Sequence, residues 1–559
     1  MVSRNFWIKQ SAWAVAHAVC LLFSLSPFNI WPLAFVATFA IFMAARCLEL
    51  QRMGRVLATG ALFAAAVTFI TFGWIVATVH RYTGQNFAVT ALLSVAYALL
   101  CQLKIVLFFI AARYAFGKIR FDFIGSLALS AVLAVCDALV PELFPWSWGN
   151  AVAAGQYLRQ WASVGSVYLL SFFAAWGGCA VAAVFSAEKS ITWKQRLFAV
   201  KMHAALLFLV IGAGSIFYYW PIAERGTLGV VAVQTNIGAA PEAKRSDADF
   251  AADAINRLFN QSLEGLILHG RTNLILWGEA SMPFHSSARG VGNQEIYSPT
   301  FDAVPEYLHR ISGAAVLYQD LHFRKKNLHA RLAARPAPLL EPSEYLKRRL
   351  VPWGEYLPLE NLAPSMRRAF PEAGRLVPGF ESNELSVRFA DAPAFRINQE
   401  QLKGDLQLMS SPDKIRSHYP LPQYNGQVTI KPLLCYEALF PTESRIAEAR
   451  LIVNLASDAW FGDGVEGEQH AGAVALRAVE NGVPMLRAAM SGISFMVDAR
   501  GEDIVQRSAQ ARPAILHADI PLQLRKTLFA RFGMAAFYAL MAALFWPYAL
   551  DRWVSRRSG

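Results

Sequence analysis

Three reactive side chains stand beside short apolar runs in the second half of the 559-residue chain: Glu279 in LWGEASMP (276–283), Lys347 in EYLKRRLVPWGEY (344–356) and Cys435 in QVTIKPLLCYE (427–437). Carboxylate, ammonium and thiol have a joint chemical logic. A thiol attacks a carbonyl as thiolate, which needs a base within hydrogen-bond reach and gains from a nearby cation. Glu279 would take the thiol proton and return it to the leaving group, with burial raising its pKa toward the useful range. Lys347, helped by a backbone N–H after the nucleophile, would stabilise the oxyanion of a tetrahedral intermediate. Losing such a donor costs about 2.7–4 kcal/mol of barrier.

Each residue also has an ordinary reading. A Glu after a strand is a solvated loop residue, and a Lys in a Lys-Arg-Arg cluster is a surface charge. Cys435 is the one cysteine in residues 222–525, whereas Cys20, Cys47, Cys101, Cys136 and Cys179 lie in or beside long apolar stretches, where free Cys is a small apolar filler. Cys435 therefore has no disulfide partner in its own region. It is either buried and inert or a nucleophile.

The elements that must position these groups are strands. Residues 229–234, 273–277, 313–318, 428–434, 451–455, 485–488 and 515–520 read as strands buried on one or both faces. Residues 246–268 read as an amphipathic helix with Phe250, Ile255, Leu258, Phe259, Leu263 and Leu266 on one stripe, and 469–482 as a second helix stopped by its glycine. Such alternation implies an α/β layered domain. In an open α/β sheet, residues just past the carboxyl ends of neighbouring strands converge on one rim, so Glu279 and Cys435 can meet there.

The rest of the chain is too apolar for one soluble globule: 55% of residues are hydrophobic, 16% are charged, and the mean hydropathy is +0.32. Stretches able to cross a bilayer, at roughly 20 residues each, fall near 12–25, 30–45, 56–79, 87–111, 123–139, 161–185, 199–219 and 532–550. This gives a polytopic α-helical bundle of about eight spans, the first retained rather than cleaved as a signal peptide. The net charge of +12 marks topology rather than nucleic-acid binding. Basic residues crowd alternate short loops: Arg4 and Lys9; Arg46, Arg52 and Arg55; Arg113, Lys118 and Arg120; Lys189, Lys194, Arg196 and Lys201; Arg552, Arg556 and Arg557. The positive-inside bias makes those loops cytoplasmic and sends residues 222–525 to the opposite side. The expected organisation is a seven-span membrane domain over 1–221, an α/β domain over 222–525, and a last span with a cytoplasmic tail over 526–559.

Residues 381–425 read as a long arm or lid. Residues 361–370, with Leu362, Met366, Phe370 and the pair Arg367–Arg368, suit either a membrane surface or an ordinary surface helix. Lys104, inside a span, either snorkels or joins a polar cluster. His80 reads as an interfacial polar residue and His470 as a helix-start or site-lining residue, while Asp458 and Asp463 shape the loop behind Cys435. There is no phosphate-binding glycine loop and no dinucleotide fingerprint, so no cofactor and no metal are expected.

The chain order Glu279, Lys347, Cys435, with the strings at 345–360, Cys435-Tyr436-Glu437 and NLASDAWFGD (454–463), resembles the nitrilase superfamily, and more narrowly its membrane-integral branch, the apolipoprotein N-acyltransferases. Residues 72–84 (FGWIVATVHRYTG) and 144–146 (FPW) also resemble that family's segments. The resemblance implies a nitrilase-like αββα sandwich beside the membrane bundle, in a multi-pass protein of the bacterial inner membrane with a periplasmic catalytic domain. It implies Cys435 as nucleophile, Glu279 as general base and Lys347 as oxyanion stabiliser, with Glu355, Tyr436 and Glu437 in support. The implied partners are a phospholipid acyl donor, a diacylated apolipoprotein acceptor and the lipid bilayer. Where the family commonly has Pro and His, this chain has Gly278 and Arg349; 235–244 lacks a tryptophan found there, and 285–346 diverges. Competing readings keep the site as a membrane-tethered amidohydrolase, give it to a divergent acyltransferase with another acceptor, or make it vestigial.

Overall fold

The computed structural model describes the chain except residues 1, 50, 85, 117–118, 120, 186–192, 238–246, 282–293, 325, 338–343, 363, 370–373, 381–383, 391–394, 396–398, 460, 463 and 558–559. Lys118, Arg120, Lys189, Phe370, Trp460 and Asp463, and most of 235–244, lie outside the described residues. Two compact units result: Met1–Pro221 with Gly464–Glu480 and Lys526–Gly559, and Ile222–Asp463 with Asn481–Arg525.

In the first unit, five helices are long and apolar enough to cross a bilayer: Arg4–Ser24, Met53–Thr71, Ala162–Phe185, Leu197–Tyr219 and Met534–Val554. Helices Phe87–Cys101 and Leu103–Ala115 make a sixth span if their 46° bend is counted as one broken helix. The other two expected spans are helices of 14 and 17 residues, Leu33–Arg46 and Phe123–Leu139. At 1.5 Å per residue these reach about 21 and 26 Å, short of a hydrocarbon core of about 30 Å. By length and composition, five or six of the described helices qualify as spans, and these two stand beside them as shorter apolar helices.

Lys104 does not snorkel. It is fully buried, its Nζ lies 2.9 Å from Asp137 Oδ1 and 3.1 Å from Glu142 Oε2, it donates to the Trp146 carbonyl, and it stands 3.5 Å from the centre of the Trp146 ring. Helix Glu466–Asn481 contributes most of its length to the same unit. Gln469 takes a hydrogen bond from Trp74 Nε1 (2.9 Å) and donates to the Thr71 carbonyl (3.3 Å). Glu480 Oε1 accepts from Ser166 Oγ (2.7 Å) and from the Val167 amide (2.9 Å), at the point where helix Ala162–Phe185 is broken by the non-helical Gly165 and Ser166. His470 Nδ1 lies 3.5 Å from Glu466 Oε1, one turn away, and His80 lies 3.4 Å from Thr90 Oγ1.

The second unit carries two mixed sheets. The first, in spatial order β11-β1-β2-β3-β4-β5, is built from β1 (Ala223–Gln234), β2 (Leu274–Trp277), β3 (Ala315–Arg324), β4 (Asn327–Arg335), β5 (Tyr345–Leu346) and β11 (Ala514–Leu524). The second, β10-β9-β8-β7-β6, is built from β6 (Leu385–Phe389), β7 (Gly426–Leu434), β8 (Leu451–Ala456), β9 (Met485–Ala489) and β10 (Phe495–Val497). Alternation along each strand sorts side chains between two cores. Leu228, Val230, Leu274, Leu276 and Leu317 of the first sheet meet Val428, Ile430, Leu434, Val453 and Leu486 of the second. Val231, Val233, Ile275, Trp277 and Tyr318 point the other way, against Leu258, Phe259, Leu263 and Leu266 of helix Asp247–His269 and Phe301 and Tyr307 of helix Gln294–Ser312. Sheet on sheet with helices outside is the expected α/β sandwich.

All seven expected strands form, most of them longer than the apolar run that marks them. The stretch 381–425 is not a structureless arm. It holds β6, paired antiparallel to β7, and helices Gln399–Asp405 and Pro412–His418. Tyr307 and Tyr419 both donate to Asp405 Oδ2, at 2.8 and 2.6 Å, which ties the segment to the outer helical layer. Residues 361–370 hold only one helical turn, Met366–Ala369; Arg367 forks onto Glu360 at 2.9 and 2.5 Å, and Leu362 is exposed.

Candidate active site

The parallel pairs β1–β2, β2–β3, β7–β8 and β8–β9 align their carboxyl ends within each sheet. One carbonyl joins the two sheets at that rim: Ala456 O, at the end of β8, accepts from the Glu279 amide (3.0 Å) and from the Met490 amide (2.9 Å). Gly278 makes this approach possible. A Cβ there would lie 2.5 Å from the Met490 nitrogen, so the close crossing suits glycine. Cys435, the first residue past β7, turns with φ +45°, a left-handed conformation that is strained for a side-chain-bearing residue.

Glu279, Lys347 and Cys435 come together here. Lys347 follows the two-residue β5, its amide donating to Ala330 O (2.8 Å) and its carbonyl accepting from the Gly379 amide (2.8 Å). Its Nζ lies 3.0 Å from Glu279 Oε1 and 2.6 Å from Glu355 Oε1, with 1% of the side chain exposed. Glu355 Oε2 accepts from the Val351 amide (2.8 Å), which fixes the loop that carries it. Glu279 and the Cys435 thiol act on each other electrostatically, the carboxylate raising the thiol's pKa. The sulfur faces the Ser457 carbonyl at 3.8 Å.

Burial sets the protonation states. It pushes the Glu279 carboxyl above the ordinary glutamate range, with Lys347 opposing and Glu355 adding to the rise. Burial also disfavours the Lys347 ammonium, yet Glu279, Glu355, the thiol and Glu437 together outweigh it and hold the amine well above its usual pKa. The Cys435 thiol is pushed up by burial and then by Glu279, against the pull of Lys347, so the resting sulfur keeps its proton. A thiolate at this sulfur would need a base within reach, and Glu279 is a carboxylate that acts on it.

Glu437 sits in the short helical turn that begins at Cys435, with no surface exposed. Its Oε1 accepts from the Arg348 amide (2.7 Å), the Arg349 amide (3.0 Å) and Tyr345 Oη (2.9 Å); its Oε2 accepts from the Leu434 amide (2.8 Å) and Tyr345 Oη (2.9 Å). One carboxylate thus ties the Tyr345 side chain and the backbone just after Lys347 to the backbone entering Cys435. Tyr436 is buried, its ring 4.9 Å from Phe440. Arg349 stacks over the other side of that neighbourhood, 4.0 Å from the Phe440 ring centre, and reaches Glu443 Oε1 at 3.3 Å.

Two residues of this neighbourhood escaped the sequence reading. Tyr345 carries no local signal beyond its place before Lys347. Arg487 carries one: it interrupts the apolar run Met485–Ala489 yet is wholly buried, and a charge inside a buried strand needs a partner.

Known proteins match in two stretches of the chain. Residues 17–180 match the family described as apolipoprotein N-acyltransferase N-terminal domain, and 343–528 match carbon-nitrogen hydrolase. Lys347, Glu355, Cys435, Tyr436 and Glu437 fall in the second stretch, and Glu279 lies outside both. Apolipoprotein N-acyltransferase 1 of Leptospira interrogans is 26% identical over 534 residues, 92% of this chain and 91% of its own. Apolipoprotein N-acyltransferase of Haemophilus influenzae is 23% identical over 579 residues, 100% of this chain and 98% of its own. Among solved structures, Nit3 of Saccharomyces cerevisiae, a member of branch 10 of the nitrilase superfamily, aligns with 13% identity and a TM-score of 0.33, covering 53% of this chain and 91% of that one.

Proposed function

We propose that this chain, which resembles the apolipoprotein N-acyltransferases over nearly its whole length, transfers a fatty acyl chain from a membrane phospholipid to the N-terminal amine of a diacylglyceryl-cysteine apolipoprotein. The acyltransferase assignment rests on full-length relatives of that name and on the carbon-nitrogen hydrolase match. The observation that carries the mechanism is the contact of Lys347 Nζ with Glu279 (3.0 Å), the carboxylate that acts electrostatically on the Cys435 thiol.

The reaction then has two halves. Glu279 removes the thiol proton as Cys435 Sγ attacks the ester carbonyl, and Lys347 donates to the oxyanion. The C–O bond breaks, Glu279 gives its proton to the departing lysophospholipid oxygen, and a thioester remains. The acceptor's α-amine next attacks the thioester carbonyl. A C–N bond forms, the C–S bond breaks, and the amine's proton returns through Glu279 to the sulfur. Glu355 holds the ammonium from its far side, and Glu437 fixes both loops.

Orientation follows from charge. The basic short loops face the cytoplasm, which leaves residues 222–525 in the periplasm of a bacterial inner membrane. Donor and acceptor are both anchored by acyl chains, so an enzyme tethered by spans meets them by lateral diffusion. A soluble one would have to extract each lipid at about 0.8 kcal/mol per exposed CH₂.

Purified protein incubated with one defined phospholipid, followed by mass spectrometry of the Cys435 peptide, tests this. One added acyl chain is expected, discharged when a diacylated lipopeptide with a free N-terminus is supplied. Absence of the adduct, or full transfer by Cys435→Ala, refutes it. Turnover of a soluble amide without lipid would instead favour a hydrolase.

A further inference from the structure

Arg487 lies in β9 with no exposed surface. Its guanidinium donates to Asn454 Oδ1 (2.7 Å), to both Asp458 oxygens (3.0 and 2.8 Å) and to the Ile493 carbonyl (3.1 Å). Asp458 is equally buried. Desolvating two charges gives back little or no net stability, and an apolar pair of similar volume often packs as well or better. Stability alone therefore does not account for this pair, and its partners lead to the nucleophile by two routes.

The first runs through Asn454. Its Nδ2 donates to the Leu433 carbonyl (3.1 Å) and to the Cys435 carbonyl (3.4 Å), and so grips the chain before and at the strained φ +45° turn. Such a conformation costs about 1–3 kcal/mol and persists only where its surroundings over-determine it. The second runs through Asp458, next in sequence to Ser457, whose carbonyl faces the Cys435 sulfur at 3.8 Å. Gly492 packs so closely on Asp458 that a Cβ there would fall 1.8 Å from Oδ2, which leaves the carboxylate no room to turn away from Arg487.

We propose that Arg487 is a positioning residue for acyl transfer: by holding Asn454 and Asp458 it keeps Cys435 in its left-handed turn and the sulfur aimed at the reacting carbonyl. This rests on the reading of Cys435 as the nucleophile. The guanidinium has an electrostatic part as well. The groups facing the thiol are Glu279 from the end of β2, Lys347 from the end of β5 and Asp458 from the end of β8, with Glu355 against Lys347 and Glu437 in the following turn. Glu279 and Asp458 both favour the protonated thiol. Arg487 neutralises Asp458.

Two variants and two readouts test the proposal on the full-length protein. Thioester formation from a defined phospholipid gives the rate, and alkylation by iodoacetamide, followed across pH on the Cys435 peptide alone, gives the thiol midpoint. Arg487→Met removes the tether and leaves Asp458 uncompensated: the thioester rate is expected to fall on the order of 10- to 100-fold, as a small misplacement of a reacting group does, and the midpoint to move to higher pH. Asp458→Asn keeps the shape and removes the anion, so its midpoint moves to lower pH. Opposite displacements are the signature, since mere loosening of the fold would move both the same way. Wild-type rate and midpoint in Arg487→Met, or parallel shifts in the two variants, overturn the proposal. Should Arg487→Met fail to fold, Asp458→Asn decides by the sign of its shift. Should the wild-type protein form no thioester on Cys435, the reading of the nucleophile fails, and the alkylation midpoints still judge Arg487.

Discussion

Removing the ammonium of Lys347 is the most informative single perturbation of this site. Its Nζ lies between Glu279 Oε1 (3.0 Å) and Glu355 Oε1 (2.6 Å), and those carboxylate side chains are only 12% and 20% exposed. Lys347→Met fills a similar volume and leaves two carboxylates facing each other across an apolar side chain. Breaking a buried ion pair from one side costs about 3–5 kcal/mol. At about 2–4 °C per kcal/mol for a domain of this size, the melting temperature should drop by roughly 6–20 °C. The penalty depends on pH with a definite sign. Glu279 already holds its proton more tightly than an ordinary glutamate because it is buried, and without the lysine its pKa rises further. A carboxyl whose folded pKa lies above its unfolded value contributes stability at low pH, and that contribution is lost as pH climbs through the folded pKa. The melting gap between variant and wild type should therefore be smallest near pH ~5 and widen toward pH ~8. Thermal unfolding of detergent-solubilised protein across that range measures it, and thioester formation in the same samples should be slower by about 10²–10³. A gap that stays constant with pH, or vanishes, would show that Lys347 does not compensate these two carboxylates.

The remaining predictions concern the shell around that lysine. Glu437→Gln turns one of two accepting oxygens into a donor, so either the Leu434 amide or the pair Arg348 and Arg349 amides loses its partner. An orphaned buried N–H costs about 1–3 kcal/mol, readable as a lower melting temperature together with slower thioester formation; an unchanged rate would mean the two loops hold their places without it. Gly278→Ala sets a Cβ 2.5 Å from the Met490 nitrogen, and overpacking against backbone costs about 1–3 kcal/mol. Because Glu279 is the next residue, transfer should fall more than stability does, and a variant that melts and turns over like wild type would contradict the close crossing of the two sheets.

What the sequence conveyed of the fold follows from where water is absent. The parallel strands β2, β3, β7, β8 and β9 are buried on both faces at most positions and read as continuous apolar runs. β4, NLHARLAAR, pairs antiparallel beside β3 and carries a histidine and two arginines, so no run marks it. β5 is two residues long, and β6 shows its period only as Leu385, Val387 and Phe389 inside a polar stretch. The stretches 30–45 and 123–139 form the helices Leu33–Arg46 and Phe123–Leu139, the second with the bounds its apolar run marks. Glu279, Lys347 and Cys435 were legible because chemistry and strand ends agreed. Arg487 was not, because its partners lie about 30 residues away, Asn454 on β8 and Asp458 in the loop after it, and nothing adjacent to it in sequence announces them.

The resting thiol explains why the site is built from a carboxylate and an ammonium rather than around a standing thiolate. A cysteine that was ionised at rest would be more open to oxidation, since susceptibility follows thiolate character and access. Here burial and Glu279 keep the proton on sulfur, and Glu279 itself is held above the ordinary glutamate range. In the proposed mechanism the proton passes from sulfur to Glu279 when an ester carbonyl arrives and negative charge moves onto an oxygen facing Lys347. Reactivity is then a property of the complex rather than of the free enzyme. That requires the geometry to be fixed beforehand, which is what Glu437 does through five hydrogen bonds to the segments carrying the lysine and the cysteine.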